Sequence, residues 1–236
     1  MTTSVTGAAA GRQAALLRTK VDLVFAAVQR AGRRLVDHPR IRELYPEYLV
    51  AAHGIVRASV PLMETARDRA LLTAGEDPVA AGLAAYLEEH IPEERGHDEW
   101  VLQDLELLGF DRAGVLARPP SPSIAQFVGA QYYWILHFHP VAVLGYIALL
   151  EGYPPTPELV DKLVSATGYE RATFRTLEVH ASLDPGHREE LDAALDSLPL
   201  TSEQSEVIGL SALSSVTNMA RVIDEVVDRG AARWPA

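Results

Sequence analysis

Long stretches of helical periodicity, cut at intervals by proline and glycine, most restrict what this chain can fold into. Apolar residues recur at steps of three and four, while the alternation of a half-buried strand is scarce. The first stretch runs from about Arg12 to Val36, with Leu16, Val21, Val24, Phe25 and Val28 on its apolar side. It ends at His38-Pro39, because the residue before a proline is pushed out of the α region. A second begins near Pro46 and continues to about Thr73, with Pro61 as an expected kink. Asp77-Pro78 pairs an N-cap with a first-turn proline and starts a third helix, predicted to reach Leu108 and stop at Gly109. Beyond the stiff connector Arg118 to Ser123, a fourth covers about Ile124 to Leu150, broken or kinked at Pro140. Pro157 to Thr167, Tyr169 to Leu198, and Thr201 to Arg229 complete the set, the last opening on a capping-box pattern. The expectation is a single all-α domain over residues 1–236, with Met1 to Gly11 flexible.

Composition removes several classes of function. The formal net charge of −11 argues against a nucleic-acid partner and against a basic lipid-binding face. With no cysteine there is no disulfide, thiolate zinc site, iron–sulfur cluster or cysteine nucleophile. The first residues lack the apolar core of a signal peptide, and Pro140 and Glu151 bracket the longest apolar run before it reaches spanning length. A cytoplasmic, soluble protein without membrane contact is expected.

Three places carry chemistry. His180, Asp184 and His187 stand at i, i+4 and i+7, one face of a helix. Imidazole and carboxylate are the ligands that hold redox-active iron or manganese without thiolate. Glu94 and His97 form an i, i+3 pair on the third predicted helix, with His90 seven residues before His97 on the same face. Glu151 closes an apolar run, Val141 to Leu150; if it points inward it must be protonated, paired or metal-bound, since an isolated buried charge is too costly. Each has a plainer reading: a solvated face around Glu94, an N-cap at Asp184 before Pro185, a carboxylate reaching water at Glu151. Glu64 could face inward or outward on the second helix. Gln131 to Ile135 could wall a substrate pocket, and His137 and His139 read as structural or pocket-lining.

In this order, these residues resemble the heme-oxygenase-like diiron oxidases and oxygenases, related in fold to thiaminase II and pyrroloquinoline quinone synthase. The resemblance covers about Leu35 to Leu198 and implies a seven-helix heme-oxygenase-like bundle. It implies metal ligation by Glu64, Glu94, His97, Glu151, His180, Asp184 and His187, the last three matching the His-x3-Asp-x2-His pattern in full. Some members carry glutamate where this chain has His90, which becomes either an extra nitrogen ligand or a residue orienting Glu94 or Glu151. The resemblance further implies two Fe(II) ions per chain, dioxygen as cosubstrate and a small organic substrate. That substrate would be an amino acid, amine or fatty-acid-like molecule, undergoing N-oxygenation, desaturation or C–C cleavage in a biosynthetic pathway. An external electron donor fits such chemistry, and an acidic, apolar-rich bundle is compatible with a homodimer. The rivals are a metal-free or heme-binding enzyme on the same fold, with His53 as the fair proximal candidate, and a non-catalytic helical interaction protein.

Overall fold

A computed structural model describes residues 12–233; residues 1–11, expected above to be flexible, lie outside them. The described residues contain α-helices and short 3-10 turns and no strand. Helix α1 (Arg12–Val36) lies along α10 (Ser202–Arg233) and buries Ala14, Leu17, Val21, Ala31 and Leu35. Val21 is buried and Val24, Phe25 and Val28 pack against the core as predicted, but Leu16 faces solvent and Leu17 takes the inward place. Asp196 supplies the cap that the sequence around Arg12 lacks. Its Oδ1 accepts the amides of Gln13 at 2.9 Å and Ala14 at 3.0 Å, two of the donors a helix start leaves unpaired.

Helix α2 (Ile41–Leu71) starts earlier than predicted and passes through Pro46 and Pro61. Pro46 has no amide to offer the carbonyl four residues back. That carbonyl, on Arg42, instead accepts the Tyr169 hydroxyl at 2.9 Å. The third predicted helix is two: α3 (Pro78–Glu94) and α4 (His97–Leu107). The chain goes extended at Arg95 and left-handed at Gly96, with φ of +90°, a conformation that favours glycine. Its start is as expected, with Asp77 Oδ1 accepting from Val79 at 2.8 Å. A six-residue helix, α5 (Arg112–Ala117), is too short to show periodicity and was not predicted.

The fourth predicted helix is also divided, into α6 (Pro122–His137), a 3-10 turn at Pro140–Ala142 and α7 (Val143–Leu150). His139 caps that turn, its Nδ1 accepting from Val141 at 3.1 Å while Nε2 donates to Asp77 at 2.8 Å. Helix α7 is buried nearly all round and presses on α10. At Gly145 the two backbones nearly touch: an added Cβ would lie 2.3 Å from the Ile208 carbonyl oxygen. Helix α8 (Pro157–Thr167) has its predicted bounds. A 3-10 turn at Arg171–Phe174 leads into α9 (Arg175–Ser197), which runs through Pro185 without a break. Helix α10 opens with the reciprocal cap Thr201–Gln204. No helix among the described residues is long and apolar enough to cross a membrane.

Candidate metal centre

Ends and breaks of helices bring the predicted residues together. Glu94 is the last residue of α3 and His97 the first of α4, so the expectation of one continuous helix beneath this pair is wrong. The pair forms across the break all the same, with Glu94 Oε2 3.2 Å from His97 Nδ1. Glu151, just past α7, is buried and turns inward to His90, whose Nε2 lies 2.9 Å from its Oε1. From α9, His187 sets Nδ1 3.5 Å from Glu94 Oε1. The His180 ring stands edge-on to His97, 5.0 Å between centroids, and His90 meets His187 likewise at 5.2 Å. Asp184 is buried on the same face of α9. Thus His90, Glu94, His97, Glu151, His180, Asp184 and His187 form one cluster. Glu64 has a different partner, Arg95 Nη2 at 2.6 Å.

The cluster's electrostatics are those of too much carboxylate in too little water. Burial, then the fields of Glu151 and Glu94, push the Asp184 carboxyl up to about 8. Burial also pushes Glu94 up, but His97, His90 and His187 outweigh it and hold its carboxyl below the usual range. For His90 burial works downward, and Glu151, Glu94 and Glu93 together reverse it and raise the imidazole. Burial lowers His180, which is therefore neutral at pH 7. Its Nδ1–H donates to the Thr176 carbonyl at 2.7 Å, so Nε2 is the nitrogen that carries the free lone pair.

Whether these residues fit a metal is answered by what they lack. Nδ1 of His90, His97 and His187, Oε2 of Glu151 and Oδ1 of Asp184 are all buried without a hydrogen-bond partner. A buried polar atom left unmade costs about 1–3 kcal/mol. Glu94 lies 3.2 Å from His97 Nδ1 and 3.5 Å from His187 Nδ1 without a well-aligned bond, and the other three have no such neighbour, a liability for a protein that binds nothing there. Nitrogen and carboxylate donors in this mixture suit iron or manganese. His90, Glu94 and Glu151 place ligand atoms within 4.8 Å of one another, the reach of a single cation.

Four neighbours escaped the sequence reading, each at a helical step from a residue it did select. Tyr86, four before His90, stacks on that ring at 5.2 Å and buries an unpaired hydroxyl. Trp100, three after His97, stacks on it at 4.2 Å. Asp104, seven after His97, accepts the Thr176 amide at 3.0 Å and so anchors the turn that fixes His180. Glu93 stands 3.8 Å from nitrogens of both His90 and His187. In the stretch read as a pocket wall, Gln131 is tied to Ser211 at 2.7 Å and Ser215 at 3.1 Å, and Tyr133 is 65% exposed. A cavity of about 300 Å³ opens elsewhere, between α2, α6 and α10, and shares no lining residue with the cluster.

An all-helical bundle with this cluster at its centre has the heme-oxygenase-like fold. Over 94% of this chain and 95% of the other, it superposes on a domain of unknown function with that fold from Shewanella denitrificans, with a TM-score of 0.78 and 20% identity. A TenA homolog from Pseudomonas syringae pv. tomato matches over 88% and 92%, with a TM-score of 0.63 and 12% identity. Comparison with curated proteins gives no match. Residues 62–214 match the iron-containing redox enzyme family, and the chain belongs to that family.

Proposed function

We propose that the chain is a non-heme oxygenase or oxidase that holds two ferrous ions in this cluster and uses dioxygen on a small organic substrate. An amino acid, an amine or a fatty-acid-like molecule is the substrate class that the family resemblance favours. The observation that carries the reading is the group of five buried, unpartnered ligand atoms, drawn from α3, α4, α9 and the end of α7. Glu94, His97, Glu151, His180, Asp184 and His187 would hold the ions, with His90 beside Glu94 and Glu151. Glu64 would enter the set only on leaving Arg95.

Bound iron supplies the electron transfers that dioxygen chemistry requires. The side chains set the conditions for it. Thr176 fixes the tautomer of His180, and Asp104 holds Thr176 in place. Glu94 is ionised and ready to bind a cation, while Asp184 retains a proton near neutrality and releases it when a cation takes that place. The ring of Trp100 packed on His97 and the phenol of Tyr86 packed on His90 keep water from that flank.

Anaerobic ferrous titration, followed by measured dioxygen uptake, tests the reading. Two irons per chain, with both iron content and uptake sharply reduced in His180→Ala, is the expected result. Iron content that is negligible, or equal in the two proteins, would overturn it.

A further inference from the structure

Two histidines of the cluster have a second nitrogen, and both use it in the same direction. His90 sets Nε2 against Glu151 at 2.9 Å and Nδ1 at 3.8 Å from Glu93 Oε2. His187 sets Nδ1 at 3.5 Å from Glu94 and Nε2 at 3.8 Å from the same Glu93 oxygen. Each ring therefore stands between an inner carboxylate and Glu93. Glu190, on α9, completes the outer group: His90, Glu93 and Glu190 each bring a ligand atom within 4.8 Å of the others. Both outer carboxylates are exposed, whereas His90 is 1% exposed and its Nδ1 has no hydrogen-bond partner.

The hydrogen bond to Glu151 decides what that nitrogen offers. Nε2 is committed to Glu151, so Nδ1, buried and without a hydrogen-bond partner, is the nitrogen turned towards Glu93. That nitrogen and the two carboxylates beside it converge closely enough for one cation to touch all three. Bonds of about 2.0–2.2 Å from a divalent ion to nitrogen and oxygen fit atoms spaced as these are.

We propose that Glu93, Glu190 and Nδ1 of His90 form a capture site for a divalent first-row metal ion at the rim of the centre, from which the inner carboxylates are loaded. Its loading role rests on the inner cluster being the metal centre proposed above. His90 is common to the outer group and to the inner group with Glu94 and Glu151, so an ion held outside is one imidazole away from its destination. No bond other than coordination is made or broken, and the protons displaced go to solvent.

The test uses the full chain, stripped of metal, with Mn(II) counted by the resonance of the free ion and Fe(II) loading followed anaerobically by stopped flow. Glu93→Gln/Glu190→Gln is expected to lose one weakly held Mn(II), to keep the tight ones, and to load iron roughly tenfold more slowly at low metal. Glu151→Gln should do the reverse, losing tight ions and keeping the weak one. Equal Mn(II) counts and equal loading rates in wild type and Glu93→Gln/Glu190→Gln would overturn the capture site. Loss of tight ions in that variant would also overturn it, placing the two glutamates in the inner centre. A weak ion without any tight ones would overturn the inner centre, and loading with it, while leaving the rim as a binding site. Because both glutamates are exposed and glutamine is isosteric, far-UV circular dichroism should be unchanged.

Discussion

The junction of α3 with α4 and the middle of α9 carry the same local pattern, a carboxylate and a histidine three residues apart, on opposite kinds of backbone. Between Glu94 and His97 lie Arg95 and Gly96, and the helix breaks. Between Asp184 and His187 lie Pro185 and Gly186, stronger breakers on paper, and the helix continues. Exposure does not separate the two, since Arg95 and Gly96 face solvent as Pro185 and Gly186 do; the difference is in the backbone, which stays helical through Pro185 and Gly186. At the first, Gly96 adopts φ of +90° and resets the chain direction, so that Glu94 ends one helix and His97 begins the next. The two carboxyls also differ in charge: histidines hold Glu94 ionised, while burial and two carboxylates keep a proton on Asp184 up to about 8. Spacing brings ligand types together, but backbone conformation and local field decide what state they meet in.

Neutralising each carboxyl should break the comparison most visibly. In the metal-free protein the folded state keeps the Asp184 proton to about pH 8, whereas the unfolded chain releases it near pH 4, so stability falls as pH rises between the two. Asp184→Asn removes that slope and should stabilise the metal-free protein by up to roughly 5 kcal/mol at pH 8, read from urea unfolding across pH. For Glu94 the sign is opposite. Its lowered value gives stability above the ordinary carboxylate range and loses it as acid protonates the group, so Glu94→Gln should lower the midpoint at pH 7.

Next in size is the proline. Pro185→Ala restores an amide inside α9 and removes a helix breaker, at the cost of a looser unfolded chain; a net gain of about 2 kcal/mol is expected, measured by thermal unfolding. Its iron content should be that of wild type. Gly96→Ala should have the smallest effect on folding, a loss of about 1 kcal/mol from an unfavourable left-handed residue. Unlike Pro185→Ala, it should weaken iron retention, measured by competition with a chelator, because His97 and Glu94 are joined only through that turn.

Helix ends announced by local chemistry were legible. His38-Pro39 closes α1 at Val36, and Pro157–Thr167 is framed by a Thr156 cap and Gly168 in the left-handed region. The break at Gly96 was not, since the flanking glutamates and arginine are at home in a helix and a lone glycine costs a helix only about 1 kcal/mol. Nor could the string of residues say that Tyr169 would relieve Pro46 or that Asp196 would cap α1, each reaching across more than a hundred residues. Within the candidate centre, the three α9 residues could be grouped from spacing because they share one helix. The meeting of His90 with Glu151, separated by 61 residues, depends on how α7 packs and had no local signal. Glu64 shows the same limit from the other side, its partner Arg95 lying 31 residues away.

The contact of Gly145 with the α10 backbone acts as a ruler. A helix rises 1.5 Å per residue, so Glu151 emerges about 9 Å along the axis from a point where two main chains touch. Most side chains of α7 could be exchanged over generations for others of like volume without moving that carboxylate. Residue 145 could not be, unless α10 changed with it. Drift along α7 is therefore held to exchanges of like volume, and barred at the mark from which the depth of Glu151 is measured.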